Sequence, residues 1–284
     1  AEGFNNLGVT LKDQGKLDDS LASYEKALSI NPNFVEAYNN IGNILKNQGK
    51  LDQALTSYKK ALSLKPDYME AHYNMGNVFQ EKGQFKQALA SYEKALLLKP
   101  DYLEALNNMG NIFKDQGKLD KAISAYAKIL PFKPDYAEAH YNIGIVLKDQ
   151  GKFEDAIDAF SKALSFKPDY VEAHNNYAIV LRDQGKLDEA ISAFNKLLSF
   201  KPEFASAHFN MGVTLVSNGK LDEALESFKK ALSLESDYAG AHYNIGKVLI
   251  EQNKLDEAIA FFDKALELKP NHASARLLKV VQQA

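Results

Sequence analysis

A period of 34 residues runs through this chain and constrains its fold more than any other feature. Proline recurs as Pro32, Pro66, Pro100, Pro134, Pro168, Pro202 and Pro270. The same step carries Gly8, Gly42, Gly76, Gly110, Gly144, Gly212 and Gly246, and Ala54, Ala88, Ala122, Ala156, Ala190, Ala224 and Ala258. Self-similarity at this period marks a stacked array in which each unit buries its apolar face against its neighbours, rather than one closed core. Eight periods fill 272 of the 284 residues and leave a tail of 12.

Within a period the apolar residues fall at helical spacing. In the second period one face carries Ala37, Ile41, Ile44 and Leu45, and a second run carries Leu51, Ala54, Leu55, Tyr58, Ala61 and Leu62. Between them lies the short turn Asn47-Gln48-Gly49-Lys50, where Gly49 supplies the left-handed residue that ends a helix. The expected unit is an antiparallel pair of amphipathic helices. Proline at each boundary stops the preceding helix. Asp67 with Glu70, Asp101 with Glu104, Asp135 with Glu138 and Asp169 with Glu172 have the spacing of a capping box and are expected to start the next one. Gly42 and Ala54 let the paired backbones close up, Tyr58 fills the space beside them, and Ala61 leaves room for the following pair.

Departures from the period are few. Ser20, Ala178, Ile129, Leu197 and Ser236 replace their repeat equivalents without threatening the stack. Pro131 falls late in the fourth period's second helix, removes a backbone donor, and predicts a kink or an early helix end.

Small residues at 42, 54 and 61, the aromatic Tyr58 and Pro66, repeated every 34 residues, resemble the tetratricopeptide repeat. The resemblance covers residues 1–272 and implies an all-α fold, a right-handed superhelical α-solenoid of antiparallel helix hairpins. The repeats are expected at 1–34, 35–68, 69–102, 103–136, 137–170, 171–204, 205–238 and 239–272. In the tail, Leu277, Leu278, Val280 and Val281 are available to cover the last repeat, so 273–284 is expected to be a C-terminal capping helix. The resemblance further implies that the first helices line a concave groove where such proteins hold a peptide or a partner's helix.

Asparagine occurs at one first-helix position in every repeat: Asn6, Asn40, Asn74, Asn108, Asn142, Asn176, Asn210 and Asn244. An asparagine amide both donates and accepts, so a row of them suits the backbone of an extended peptide whatever its side chains. The row is similar to the asparagine ladder in the tetratricopeptide superhelix of O-linked N-acetylglucosamine transferases, which implies backbone-directed peptide capture. Ordering of neighbouring helices is the alternative role. One turn further along the helix, Asn43, Asn77 and Asn111 pair with the row only in repeats two to four. Val9, Ile145, Ile179, Val213 and Lys247 occupy that position elsewhere. Acidic residues give way to Ser206 and Gly240, and basic ones to Val216 and Ile250, so two binding regimes are expected, polar in repeats two to four and side-chain burying in five to eight. Tyr73, Tyr141, Phe209 and Tyr243 lie beside the row as further ligand candidates, with packing as their alternative role.

Charge is near balance at −3 with both signs interspersed, so no basic block favours nucleic acid or an anionic membrane surface. No apolar run is long enough to cross a bilayer. The absence of cysteine excludes disulfides, thiolate metal ligands and a cysteine nucleophile but leaves the compartment open, with the cytoplasm favoured. His72, His140, His174, His208 and His242 are each a whole repeat apart, which is packing spacing rather than a helical metal site. No catalytic residue, metal ligand or cofactor is expected. The function expected is a non-catalytic scaffold that binds an extended peptide or partner helix in its groove. A substrate-recognition fragment of a larger glycosyltransferase-like enzyme is one alternative. A scaffold that self-associates through an uncapped N-terminal face is the other.

Overall fold

The computed structural model describes residues 1–270. Those residues form sixteen α-helices in consecutive pairs, divided between two compact units, Ala1–Pro134 and a second that begins at Asp135. The first unit holds α1 (Glu2–Asp13), α2 (Leu17–Ile30), α3 (Val35–Asn47), α4 (Leu51–Leu64), α5 (Met69–Glu81), α6 (Phe85–Leu98), α7 (Leu103–Asp115) and α8 (Leu119–Ala127). The second holds α9 (Ala137–Asp149), α10 (Phe153–Phe166), α11 (Val171–Asp183), α12 (Leu187–Phe200), α13 (Ala205–Ser217), α14 (Leu221–Leu234), α15 (Ala239–Glu251) and α16 (Leu255–Leu268). The expected capping helix over 273–284 lies outside the described residues.

The turn chemistry follows the sequence. Gly49 adopts a φ of 73°, and the Lys50 N–H reaches back to the Leu45 carbonyl at 2.8 Å, satisfying an end-of-helix acceptor. The last pair places Asn253 at the equivalent position, with a φ of 61°.

The helix starts differ from the capping-box expectation. Tyr68, Tyr102, Tyr136 and Tyr170 are the N-cap residues, and none of these four helices has a side-chain cap bond. Each aspartate stands one residue too early, because packing gives the cap position to an aromatic ring. Tyr102 packs edge-on against Tyr73 with centroids 4.7 Å apart, and Tyr170 packs against Tyr141 at 4.9 Å. The ammonium groups of Lys99 and Lys167 lie over these cap rings at 5.5 and 4.5 Å. Glu70, Glu104, Glu138 and Glu172 remain in the first turns, where they complement the helix dipole.

One aromatic per repeat forms the spine of the core. Tyr24, Tyr58, Tyr92, Tyr126, Phe160, Phe194, Phe228 and Phe262 are all fully buried. Each ring lies on the backbone of the paired first helix, which explains the conserved-by-period glycine. A Cβ added at Gly42 would sit 2.5 Å from Cε1 of Tyr58.

Histidine has a joining role. The Nε2–H groups of His72, His174 and His208 donate to the carbonyls of Pro66, Pro168 and Pro202, each at 2.9 Å, so the ring fastens a first helix to the boundary before it. Tyr38 does the same to Pro32 with its hydroxyl. Pro131 has the expected effect: α8 has 9 residues where α6 has 14. Its continuation tightens to bonds three residues apart, from Ile129 N–H to Tyr126 and from Leu130 N–H to Ala127.

Candidate functional site: the inner faces of the first helices

First helices approach one another across successive pairs, α1 with α3 and α3 with α5 in the first unit, and α9 with α11, α11 with α13 and α13 with α15 in the second. Within each unit they therefore form the more tightly curved side, and the asparagine row lies along it.

The row is a relay between repeats. Asn40 Nδ2 donates to Asn5 Oδ1 at 3.1 Å, and Asn74 Nδ2 donates to Asn39 Oδ1 at 3.0 Å. Asn210 Nδ2 makes the same bond to Asn175 Oδ1 at 3.2 Å. Asn108 Nδ2 donates to Asn77 Oδ1 at 3.1 Å and Asn176 Nδ2 to the Glu172 carbonyl at 3.0 Å, with Tyr73 Oη and Tyr141 Oη of the preceding first helix as longer contacts at 3.4 and 3.3 Å. Phe209 offers no acceptor. Asn244 Nδ2 donates, as Asn176 does, to a carbonyl four residues earlier in its own helix, that of Gly240 at 2.8 Å. Asn142 is half-buried in α9, and Asn6, in the first repeat, is exposed. The acceptors Asn5 and Asn175 were not among the expected site residues. Their signal was a pairing between one repeat and the next, which reading single positions does not reveal.

The second asparagine set has a different anchor. Tyr58 and Tyr126 donate their hydroxyls to Asn43 and Asn111 Oδ1 at 2.8 and 2.7 Å, and the Tyr92 hydroxyl lies 2.7 Å from both Asn77 Oδ1 and Gln80 Oε1, which share its one proton. Burial pushes all three phenols well above the ordinary tyrosine value of 10, so they remain neutral donors. This bond accounts for the block change along the chain. Where the core aromatic becomes phenylalanine, from Phe160 onward, there is no hydroxyl to receive, and Ile145, Ile179, Val213 and Lys247 occupy the asparagine position. The first repeat is the exception in the other direction: Tyr24 faces the Val9 repeat, and its hydroxyl is buried without a hydrogen-bond partner.

Both sets leave one end of each amide open in repeats two to four. Asn40, Asn74 and Asn108 commit Nδ2 and keep Oδ1 without a partner among the described residues. Asn43, Asn77 and Asn111 commit Oδ1 and keep Nδ2. Each of these repeats thus carries an oriented acceptor and an oriented donor three residues apart on one helix face. In the second unit Asn176 uses both ends, because Lys148 Nζ donates to its Oδ1 at 3.1 Å. The inner face there is apolar instead, with half-buried Phe209, Val213, Val216, Tyr243 and Ile250 against the core around Phe228 and Phe262.

The ring candidates are largely consumed by packing. Tyr73 and Tyr141 bridge the core aromatic of their own repeat and the cap tyrosine of the next. Phe209 stacks on Tyr238 at 4.7 Å, and Tyr243 lies 5.9 Å from Phe262 with Lys247 over its ring at 6.0 Å. Among the described residues no group of three His, Asp or Glu side chains is placed to hold a metal ion, and no helix is long and apolar enough to cross a membrane.

Comparison with known proteins agrees with this architecture. The family model described as TPR repeat matches residues 8–49, 42–83, 76–117 and 110–151, and two models described as tetratricopeptide repeat match 141–207 and 215–280. No curated protein sequence matches the chain. Among solved structures, a tetratricopeptide repeat protein from Parabacteroides merdae is 23% identical, with a TM-score of 0.65 over 88% of this chain and 99% of that one. The MamA protein is 31% identical, with a TM-score of 0.55 over 60% of this chain and 93% of that one. The anaphase-promoting complex hetero-tetramer Cut9–Hcn1 is 19% identical, with a TM-score of 0.63 over 94% of this chain and 52% of that one.

Proposed function

The chain belongs to the tetratricopeptide repeat family, whose arrays are protein–protein interaction scaffolds, and on that premise we propose that it captures an extended peptide on the inner face of its first unit. The observation that carries this reading is the pairing of a free acceptor with a free donor in each of repeats two to four. Asn74 Oδ1 and Asn77 Nδ2, held by Asn39 and Tyr92, present the complement of a peptide N–H and C=O. Because one end of each amide is already fixed, little rotamer entropy remains to be lost on binding. The second unit presents apolar side chains at the equivalent sites and is proposed to bury side chains of the ligand. Catalysis has no place in this reading.

The test replaces Asn43, Asn77 and Asn111 together with aspartate, which keeps an acceptor for each tyrosine hydroxyl and removes the free donor. A random-peptide display library supplies the probe, and circular dichroism reports folding. Peptides selected on the native chain are expected to bind the folded variant at least about tenfold more weakly, each lost peptide hydrogen bond contributing about 0.5–1.5 kcal/mol. N-methylation of the selected peptides' backbone is expected to abolish capture while alanine replacement of most side chains is tolerated. A folded variant that binds unchanged would sink the reading.

A further inference from the structure

On the outer surface of the first unit, three departures from the repeat pattern converge on one groove. Leu97 stands where Ser29, Ser63, Ser165, Ser199 and Ser233 bond back to their own helices. Leu106 replaces the histidine that elsewhere fastens the repeat boundary. Lys121 stands where Asp19, Asp155, Glu189, Glu223 and Glu257 are acidic.

The groove runs between α6 and α8 over a floor from α7, and encloses about 560 Å³. Leu106, Met109 and Phe113 line the floor, Leu97 rises on the α6 wall, and Lys121 and Lys128 rise on the α8 wall. Leu97 is 83% exposed. Lys121 Nζ lies 5.9 Å from the Phe113 ring, and neither Lys121 nor Lys128 has a carboxylate within ion-pair distance among the described residues. Glu93, on the α6 wall, is the acidic group lining the groove.

The chain contains its own control. The same repeat positions in the second unit form a groove of about 520 Å³ that carries Ser165, His174, Leu181 and Glu189 in place of Leu97, Leu106, Phe113 and Lys121. The repeat backbone therefore makes the depression. Leu97, Leu106, Phe113 and Lys121 make this copy more apolar and more basic, while Lys128 has its counterpart in Lys196.

We propose that this groove docks an amphipathic helix of a partner protein, with one apolar stripe and glutamate or aspartate along one flank. The floor residues fall at i, i+3 and i+7, and the two lysines are seven residues apart, roughly 10 Å along a helix. A third helix laid parallel presents side chains at the same intervals. Charge sets the orientation: the acidic flank lies along α8 against Lys121 and Lys128, and Glu93 disfavours it on the α6 side. This surface is formed by second helices together with the outward side of α7, so it does not rest on the peptide reading of the inner face.

The test is an anisotropy titration of the full chain with a labelled synthetic helix that carries leucine at i, i+3, i+4 and i+7 and glutamate on one flank. Saturable binding that weakens with added salt is expected. The same peptide with lysine flanks is expected to bind roughly tenfold more weakly. The triple variant Leu97→Ser, Leu106→His, Lys121→Glu installs residues that the same positions already carry elsewhere in the chain, and is expected to fold by circular dichroism and to lose at least about tenfold in affinity. Lys121→Glu alone, an exposed substitution, is expected to fold and to weaken binding in the same direction. Replacing Asn43, Asn77 and Asn111 on the inner face is expected to leave this binding unchanged. Absence of binding, indifference to the flanking charge, or equal binding by the folded variants would overturn the proposal.

Discussion

The Tyr58 hydroxyl donates a 2.8 Å hydrogen bond to Asn43 Oδ1, joining the core aromatic of α4 to the inner face of α3. The pair recurs as Tyr92 with Asn77 and Tyr126 with Asn111, and both members change together in the second unit. A double-mutant cycle at Tyr126 and Asn111 tests whether they act as one element. Tyr126→Phe and Asn111→Ile are each expected to cost about 1–2 kcal/mol, because each leaves a polar partner unpaired. The double variant reproduces the Phe160 and Ile145 pair of the next repeat and is expected to cost less than the sum by about 1 kcal/mol. Denaturant midpoints of the four proteins measure the coupling, and additivity would show that the pairing is incidental.

The repeat architecture was legible because its causes are local. Period, helical spacing, the left-handed Gly49 and the stop at Pro131 each act within a few residues of themselves. The capping box failed for a tertiary reason: Tyr102 takes the cap position of α7 to reach Tyr73, a ring on α5. The asparagine row is read directly from the period, but the way its members are held is not. Asn40 depends on Asn5 and Asn43 on Tyr58, and those bonds cross between helices, where neither spacing nor periodicity along one helix reports them. The change to apolar residues in the second unit was legible as a pattern, and only the buried phenol supplied its cause.

His174 confers a pH dependence with a definite sign. Burial, as the largest influence, holds its imidazole below the ordinary value of 6.5, although the bond to the Pro168 carbonyl opposes the shift. The unfolded chain then binds the proton more readily, so this group's contribution is present above about pH 6.5 and is lost as pH falls through the lower folded value. His174→Leu places at this site the residue that the equivalent repeat position already carries as Leu106. It is expected to flatten the decline in thermal midpoint between about pH 7.5 and 5.5. An unchanged pH slope in the variant would assign the decline to other groups.

Asn253 is the one turn residue in its series that carries a side chain in the left-handed region, at φ 61°. Seven earlier turns use glycine there, from Gly15 to Gly219. Asn253→Gly relieves the backbone cost in the folded state but adds freedom to the unfolded chain, and asparagine is among the residues that tolerate this region best. The expected change is therefore small, within about 0.5 kcal/mol, whereas Asn253→Val is expected to cost more than about 1 kcal/mol. Chemical denaturation of both variants checks the contrast.

Gly110 and Gly144 face the same kind of contact but are expected to tolerate a methyl group unequally. A Cβ at Gly110 would run into the Tyr126 ring, and one at Gly144 would approach Cε1 of Phe160 to 2.7 Å. The Tyr126 ring is tethered at its far end by the bond to Asn111, so it cannot slide without breaking that bond. Phe160 has no tether. Ala178 already occupies this position opposite Phe194, and both are fully buried, which shows that an untethered ring can make room. Gly110→Ala is accordingly expected to cost about 1–3 kcal/mol through overpacking. Gly144→Ala is expected to cost less, since the ring can shift and alanine gains up to about 1 kcal/mol of helix propensity. Introducing Tyr126→Phe and Asn111→Ile into Gly110→Ala should then recover part of its loss by releasing the ring. Equal costs at the two glycines, measured by denaturant unfolding, would show that the tether does not limit the ring.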